Sequence, residues 1–189
     1  AASMGMSALL ASAIELEAHQ IEVVRRILQD PVQRYLLADE VGLGKTIEAG
    51  VLIRQCVLDA QEESTILVVV PPVLIAQWRD ELARKFHLER CLDRSIHVVA
   101  VDNAERIRAL LPKATMLVID EAHHLTERVA GGAKGLYADI AAAAPAIDRV
   151  LLLSATPALH NERGFLEMLH LLDPMNYPLG GEEAFRRKV

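Results

Sequence analysis

Aromatic residues are scarce. One tryptophan, three tyrosines and three phenylalanines make up 4% of the 189 residues. A core must therefore be aliphatic, as in sheets covered by helices on both faces. Cysteine occurs twice, at Cys56 and Cys91, too rarely for a disulfide framework; free thiols in the cytoplasm are expected. Positive charge is also short. The 20 Lys and Arg face 26 Asp and Glu, for a net charge of −6. That argues against a domain that grips nucleic acid tightly by itself, since such affinity comes mainly from Lys and Arg. It leaves room for a local basic strip. No apolar run nears the roughly 20 residues needed to span a bilayer. The first basic residue is Arg25, so a signal peptide with its charged leading segment is not expected. No membrane partner is expected. What is abundant is aliphatic: 52% of residues are hydrophobic, enough for one domain with a sizeable core.

Patterning along the chain alternates between strand and helix. Periodic apolar residues predict helices over Ser12–Gln29, Thr46–Ala60, Val73–Phe86, Asn103–Leu111, Leu136–Ala144 and Arg163–Leu172. Short apolar runs predict strands over Tyr35–Ala38, Thr65–Val70, Ile96–Val101, Met116–Ile119 and Val150–Leu153. Thr65–Val70 is continuously apolar and β-branched, the mark of a strand buried on both faces. The implied fold class is α/β with a mostly parallel central sheet. Residues 1–13 read as a tail, in part an expression remnant, residues 14–176 as one lobe, and residues 177–189 as the start of a connection onward. Glu182–Lys188 could begin a last helix.

In such sheets ligands gather beyond the carboxyl ends of the strands, and the polar clusters of this chain fall there. After the first strand comes Asp39-Glu40-Val41-Gly42-Leu43-Gly44-Lys45-Thr46. A glycine loop that opens a helix turns backbone N–H groups toward phosphate, its lysine neutralises charge, and its threonine hydroxyl can ligate Mg²⁺. The strict pattern has glycine where Asp39 stands. After Ile119 come Asp120 and Glu121. A strand-end acidic residue can hold Mg²⁺, and its neighbour can then polarise the attacking water. His123 and His124 are adjacent and diverge, whereas zinc sites on helices use histidines four apart; no zinc site is expected. Ser154 and Thr156 offer two hydroxyls in a small-residue turn. Trp78 reads as core, and Arg25-Arg26 and Arg84-Lys85 as solvated helix faces.

The order of these pieces resembles the helicase motifs Q, I, Ia, II and III: His19-Gln20, DEVGLGKT at 39–46, VVVPPVLIAQWRDEL at 68–82, DEAHHL at 120–125 and LLLSATP at 151–157. More narrowly, the chain resembles the Swi/Snf-type ATPases of helicase superfamily two, in their RapA-like bacterial branch. Asp39 is the usual residue of motif I there. The resemblance covers roughly residues 17–174 and implies a three-layer RecA-like (P-loop NTPase) domain using ATP and Mg²⁺. It assigns adenine recognition to Gln20 and phosphate binding to Gly42, Gly44 and Lys45 in a loop that includes Val41 and Leu43. Thr46 and Asp120 would hold Mg²⁺, with Lys45 and Glu121 as catalytic groups. His123, Ser154 and Thr156 would couple ATP state to motion. Pro71, Pro72, Asp102 and Asn103 would face a nucleic-acid backbone.

The resemblance implies a lobe of a double-stranded-DNA translocase. Expected partners are duplex DNA, held weakly by this lobe alone, a second RecA-like lobe, and RNA polymerase or proteins of DNA-modification and phage-defence systems. A nucleotide-gated scaffold without turnover and an RNA helicase lobe are the alternatives. Three departures stand out. The stretch between motifs Ia and II is short by at least a strand. Asp102 puts an acid at a presumed phosphate-facing turn. Motifs IV to VI and their arginine fingers are missing. An arginine finger is worth about 10³- to 10⁵-fold in rate in comparable NTPases. The chain alone should therefore bind nucleotide and turn it over at a negligible rate. Steady-state phosphate release checks this; full-speed turnover that Lys45→Ala abolishes would contradict it.

Overall fold

The computed structural model describes residues 17–38, 44–60, 64–130, 134–155 and 162–180. Five strands form one sheet: β1 (Gln33–Ala38), β2 (Ile66–Val70), β3 (Ile96–Ala100), β4 (Met116–Ile119) and β5 (Arg149–Ser154). Their order is β1-β5-β4-β2-β3, and every pairing is parallel. Seven α-helices are described: α1 (Ala18–Gln29), α2 (Lys45–Ala60), α3 (Ile75–Arg84), α4 (Ala104–Leu110), α5 (Ala122–Ala130), α6 (Lys134–Ala143) and α7 (Glu162–Leu172).

Side chains alternate along each strand, so the sheet feeds two cores. Ile66, Val68 and Val70 of β2, with Met116 and Val118 of β4, pack against Val24 and Ile27 of α1, Ile53 of α2 and Trp78 and Leu82 of α3. Leu67 and Val69, with Leu117 and Ile119, face Ile107 of α4, Leu125 of α5, Ile140 of α6 and Met168 of α7. All five residues of β2 are fully buried. This is the three-layer α/β arrangement expected from the sequence, with the sheet wholly parallel.

Helix α1 starts at Ala18 and not at Ser12. Glu17 is extended (ψ 149°), and a capping box forms in which the Gln20 side chain accepts the Glu17 N–H at 2.9 Å. Pro72–Leu74 forms a 3₁₀ turn, so α3 begins at Ile75 and not at Val73. Strand β1 is two residues longer than expected. Gln33 and Arg34 are polar, but the Arg34 guanidinium is bound to four carbonyls: Leu172 (2.7 Å), Ile147 (2.9 Å), Ala144 (3.0 Å) and Leu171 (3.1 Å). It thereby closes the C-terminal end of α7 and the turn after α6. Helix α5 was not foreseen. Between α3 and β3 lies only a 3₁₀ turn (Glu89–Cys91) and an isolated bridge from Leu92 to Ile96, and β2 pairs directly with β3. Among the described residues, no strand of the sheet lies between α3 and β3. The N-terminal tail, Asp39–Leu43, Thr156 and the last expected helix lie outside the described residues.

Helix α2, which carries Lys45 and Thr46, is seated by a close approach. A Cβ on Gly50 would overlap the ring of the fully buried Phe86, and Arg54 donates to the Phe86 carbonyl. In an open helix, alanine for glycine would gain about 1 kcal/mol. Overpacking costs about 1–3 kcal/mol, so Gly50→Ala should destabilise the chain in urea unfolding, with Phe86→Leu restoring part of the loss. A stabilised Gly50→Ala would show that the contact is not tight.

Candidate functional site

Register brings the strand ends level. Leu36 pairs with Leu152, Leu152 with Ile119, and Ile119 with Val69. The residue after Ile119 is Asp120, whose N–H still donates to the Val69 carbonyl at 2.9 Å. The backbone then turns through Glu121, which has a left-handed φ of 48°. Non-glycine residues at such φ are uncommon, and backbone strain of this kind concentrates at functional turns. This turn aims the chain into α5 and lets the Glu121 N–H donate to Asp120 Oδ1 at 2.9 Å. Asp120 Oδ2 accepts the indole N–H of Trp78 at 2.8 Å. Both oxygens are thus held.

Burial drives the Asp120 pKa upward. The hydrogen bonds from Trp78 and Glu121 oppose the shift, the Glu121 charge adds to it, and the Lys45 charge opposes it. Lys45 begins α2 at the same rim and is only 6% exposed. Thr46, one residue on, is half-buried. Glu121 Oε2 is buried with no hydrogen-bond partner. His123 Nδ1, in the first turn of α5, lies 3.3 Å from it, an ion pair when the imidazole is protonated, and 3.1 Å from Ser154 Oγ. Ser154 ends β5 and is fully buried.

A buried carboxylate with a raised pKa, a second carboxylate beside it with a buried oxygen that makes no hydrogen bond, and the Ser154 hydroxyl at the adjoining strand end form an oxygen donor set. A hard cation such as Mg²⁺ takes that chemistry, keeping waters in its remaining positions. A cation would also relieve the repulsion between the two acids. The residues present therefore fit the metal. Among the described residues no group of three or more His, Cys, Asp and Glu could hold a metal ion unaided.

Other site candidates fall where the fold puts them. Gln20 is buried and lies against the end of the glycine loop, so close that a Cβ on Gly44 would sit 2.9 Å from its amide nitrogen. Pro71 and Pro72 follow β2 at the same rim, as Asp102 and Asn103 follow β3. Asn103 uses its side-chain oxygen to cap α4, accepting the Arg106 N–H at 3.1 Å. Trp78, read as core, is 1% exposed but also presents its polar edge to Asp120. The rule that a buried indole N–H finds a partner could have signalled a second role. The packing of Gln20 on Gly44 makes the two positions interdependent. A double-mutant cycle of Gly44→Ala and Gln20→Ala, read by chemical denaturation, should give a coupling of about 0.5–3 kcal/mol; additive effects would contradict the contact.

Comparison with known proteins now bears on this geometry. Residues 19–109 match the SNF2-related domain family. The chain is 36% identical to the RNA polymerase-associated protein RapA of Histophilus somni over 188 residues, 84% of this chain and 19% of that protein. It is also 36% identical to RapA of Pseudomonas aeruginosa over 195 residues, 90% of this chain and 20% of that one. The chain thus spans about a fifth of the length of these relatives. Among solved structures, the Sulfolobus solfataricus SWI2/SNF2 ATPase core in complex with dsDNA superposes with a TM-score of 0.61 at 21% identity, covering 94% of this chain and 39% of that one. That likeness concerns the fold alone. By its motifs, its relatives and its RecA-like sheet, the chain belongs to the SNF2-related proteins, in their RapA-like branch.

Proposed function

We propose that residues 14–176 form the first RecA-like lobe of an ATP-driven double-stranded-DNA translocase, with residues 177–189 leading toward a second lobe. The observation that carries this reading is the meeting of Lys45, Asp120, Glu121, His123 and Ser154 at one rim of the sheet. Gly42, Gly44 and Lys45 take the phosphates of ATP, within a loop that includes Val41 and Leu43, and Gln20 takes the adenine. Thr46 and Asp120 hold Mg²⁺, which when bound neutralises charge on the β- and γ-phosphates. Glu121 orients and deprotonates the attacking water; its buried Oε2 makes no hydrogen bond and has only His123 Nδ1 beside it, at 3.3 Å, which suits that task. His123 joins Glu121 to Ser154, and with Thr156 passes the state of the site to the neighbouring strand end. Pro71, Pro72, Asp102 and Asn103 lie along the duplex side. The bound duplex in the SWI2/SNF2 core and the name of the RapA relatives support duplex DNA, and RNA polymerase on DNA, as the partners of the complete protein.

The test uses the complete protein with both lobes. Duplex DNA should stimulate its ATPase above single-stranded DNA and RNA. Glu121→Gln should retain Mg-ATP while turnover falls about 10²- to 10⁴-fold, the usual contribution of a general base. Stimulation by RNA alone would overturn the duplex reading, and a Glu121→Gln protein of normal turnover would overturn the assigned base.

A further inference from the structure

We infer that Trp78 is a positioning residue for the metal site, holding Asp120 through its indole N–H and tying that carboxylate to the rim segment that opens α3. The inference rests on the reading of Asp120 as a magnesium ligand. One hydrogen bond, from the Glu121 N–H to Oδ1, would leave the carboxylate free to swing about it. The second, from Trp78 to Oδ2, comes from a different element and fixes the carboxylate plane. The donor is well suited. An indole is rigid, carries no charge to compete with a cation, and here is buried in the core that α1, α2 and α3 share with the sheet. Each carboxylate oxygen keeps a further lone pair for a metal or its waters.

The bond also has a mechanical consequence. Trp78 lies one turn into α3, directly after the Pro72–Leu74 turn, where Val73 is 85% exposed. That turn stands at the rim beside Asp120, because β2 and β4 are neighbours. A ligand that displaces the turn moves Trp78, and Trp78 moves Asp120. The rim segment and the metal carboxylate are therefore joined by one side chain, independently of the His123–Ser154 contact on the other flank of β4.

Trp78→Phe keeps a buried ring and deletes the donor. Calorimetric titration of the chain with ADP, in Mg²⁺ and in EDTA, separates positioning from packing. The variant should lose about 10- to 100-fold in Mg²⁺-dependent affinity, the usual cost of removing a partner of a metal ligand, with unchanged affinity in EDTA. Equal affinity of variant and wild type in Mg²⁺ overturns the inference and leaves the nucleotide site standing. A parallel loss in EDTA also overturns it, as a packing defect. A wild-type chain that ignores Mg²⁺-ADP removes the site reading and the inference together. Should Trp78→Phe fail to fold, the wild type decides, because Trp78 is the sole tryptophan. Its emission should change when Mg²⁺ is added to the ADP-bound chain; no change overturns the inference.

Discussion

A strand buried on both faces has only its ends left for polar chemistry. In this chain β2, β4 and β5 are buried almost throughout, and all pairings are parallel. Every carboxyl end therefore falls on the same rim, and each crossover must return along a covering helix. The rest depends on that constraint. It places Asp120 one residue beyond a row of paired aliphatic side chains and sets Ser154 at the end of the adjoining strand. It also leaves the opposite rim to structural work. There, Arg34 gathers the carbonyls that end α7 and the turn after α6.

The site trades stability for capacity. Burial raises the pKa of Asp120, with the Glu121 charge adding to the shift, so the ionised carboxylate is a cost in the folded chain. For this one group, the sign is that of an acid whose folded pKa lies above its unfolded one. Its contribution to stability is greatest at low pH and is lost as pH rises through the folded value. A bound cation reverses that balance, because it favours the charged form. The left-handed φ of Glu121 and its Oε2, which makes no hydrogen bond, belong to the same account: strain and spare acceptor capacity are retained where a ligand can use them.

Much of this was legible from residue pattern. The β-branched run at 65–70 announced a doubly buried strand, and the clusters at 42–46, 120–123 and 154–156 announced the rim. What pattern missed is long-range. Gln33 and Arg34 look like loop, because the carbonyls that satisfy Arg34 lie more than a hundred residues away. The start of α1 depends on a side chain turning back three residues, not on periodicity. Trp78 was read by its apolar body, since nothing local says where its N–H will point. The extra helix after Asp120 hides in a stretch whose polar residues drew a chemical reading first.

The central claim is that one rim of this sheet is the metal–nucleotide site. Amide NMR of the ¹⁵N-labelled chain with ADP and substoichiometric Mn²⁺ tests it directly, since the paramagnetic ion broadens nearby resonances. Broadening should be strongest at Val41–Thr46, Asp120–His123 and Ser154, with Arg34, Ala114 and Ile147 at the opposite rim left sharp. Broadening at that opposite rim, or none at Asp120, would contradict the account.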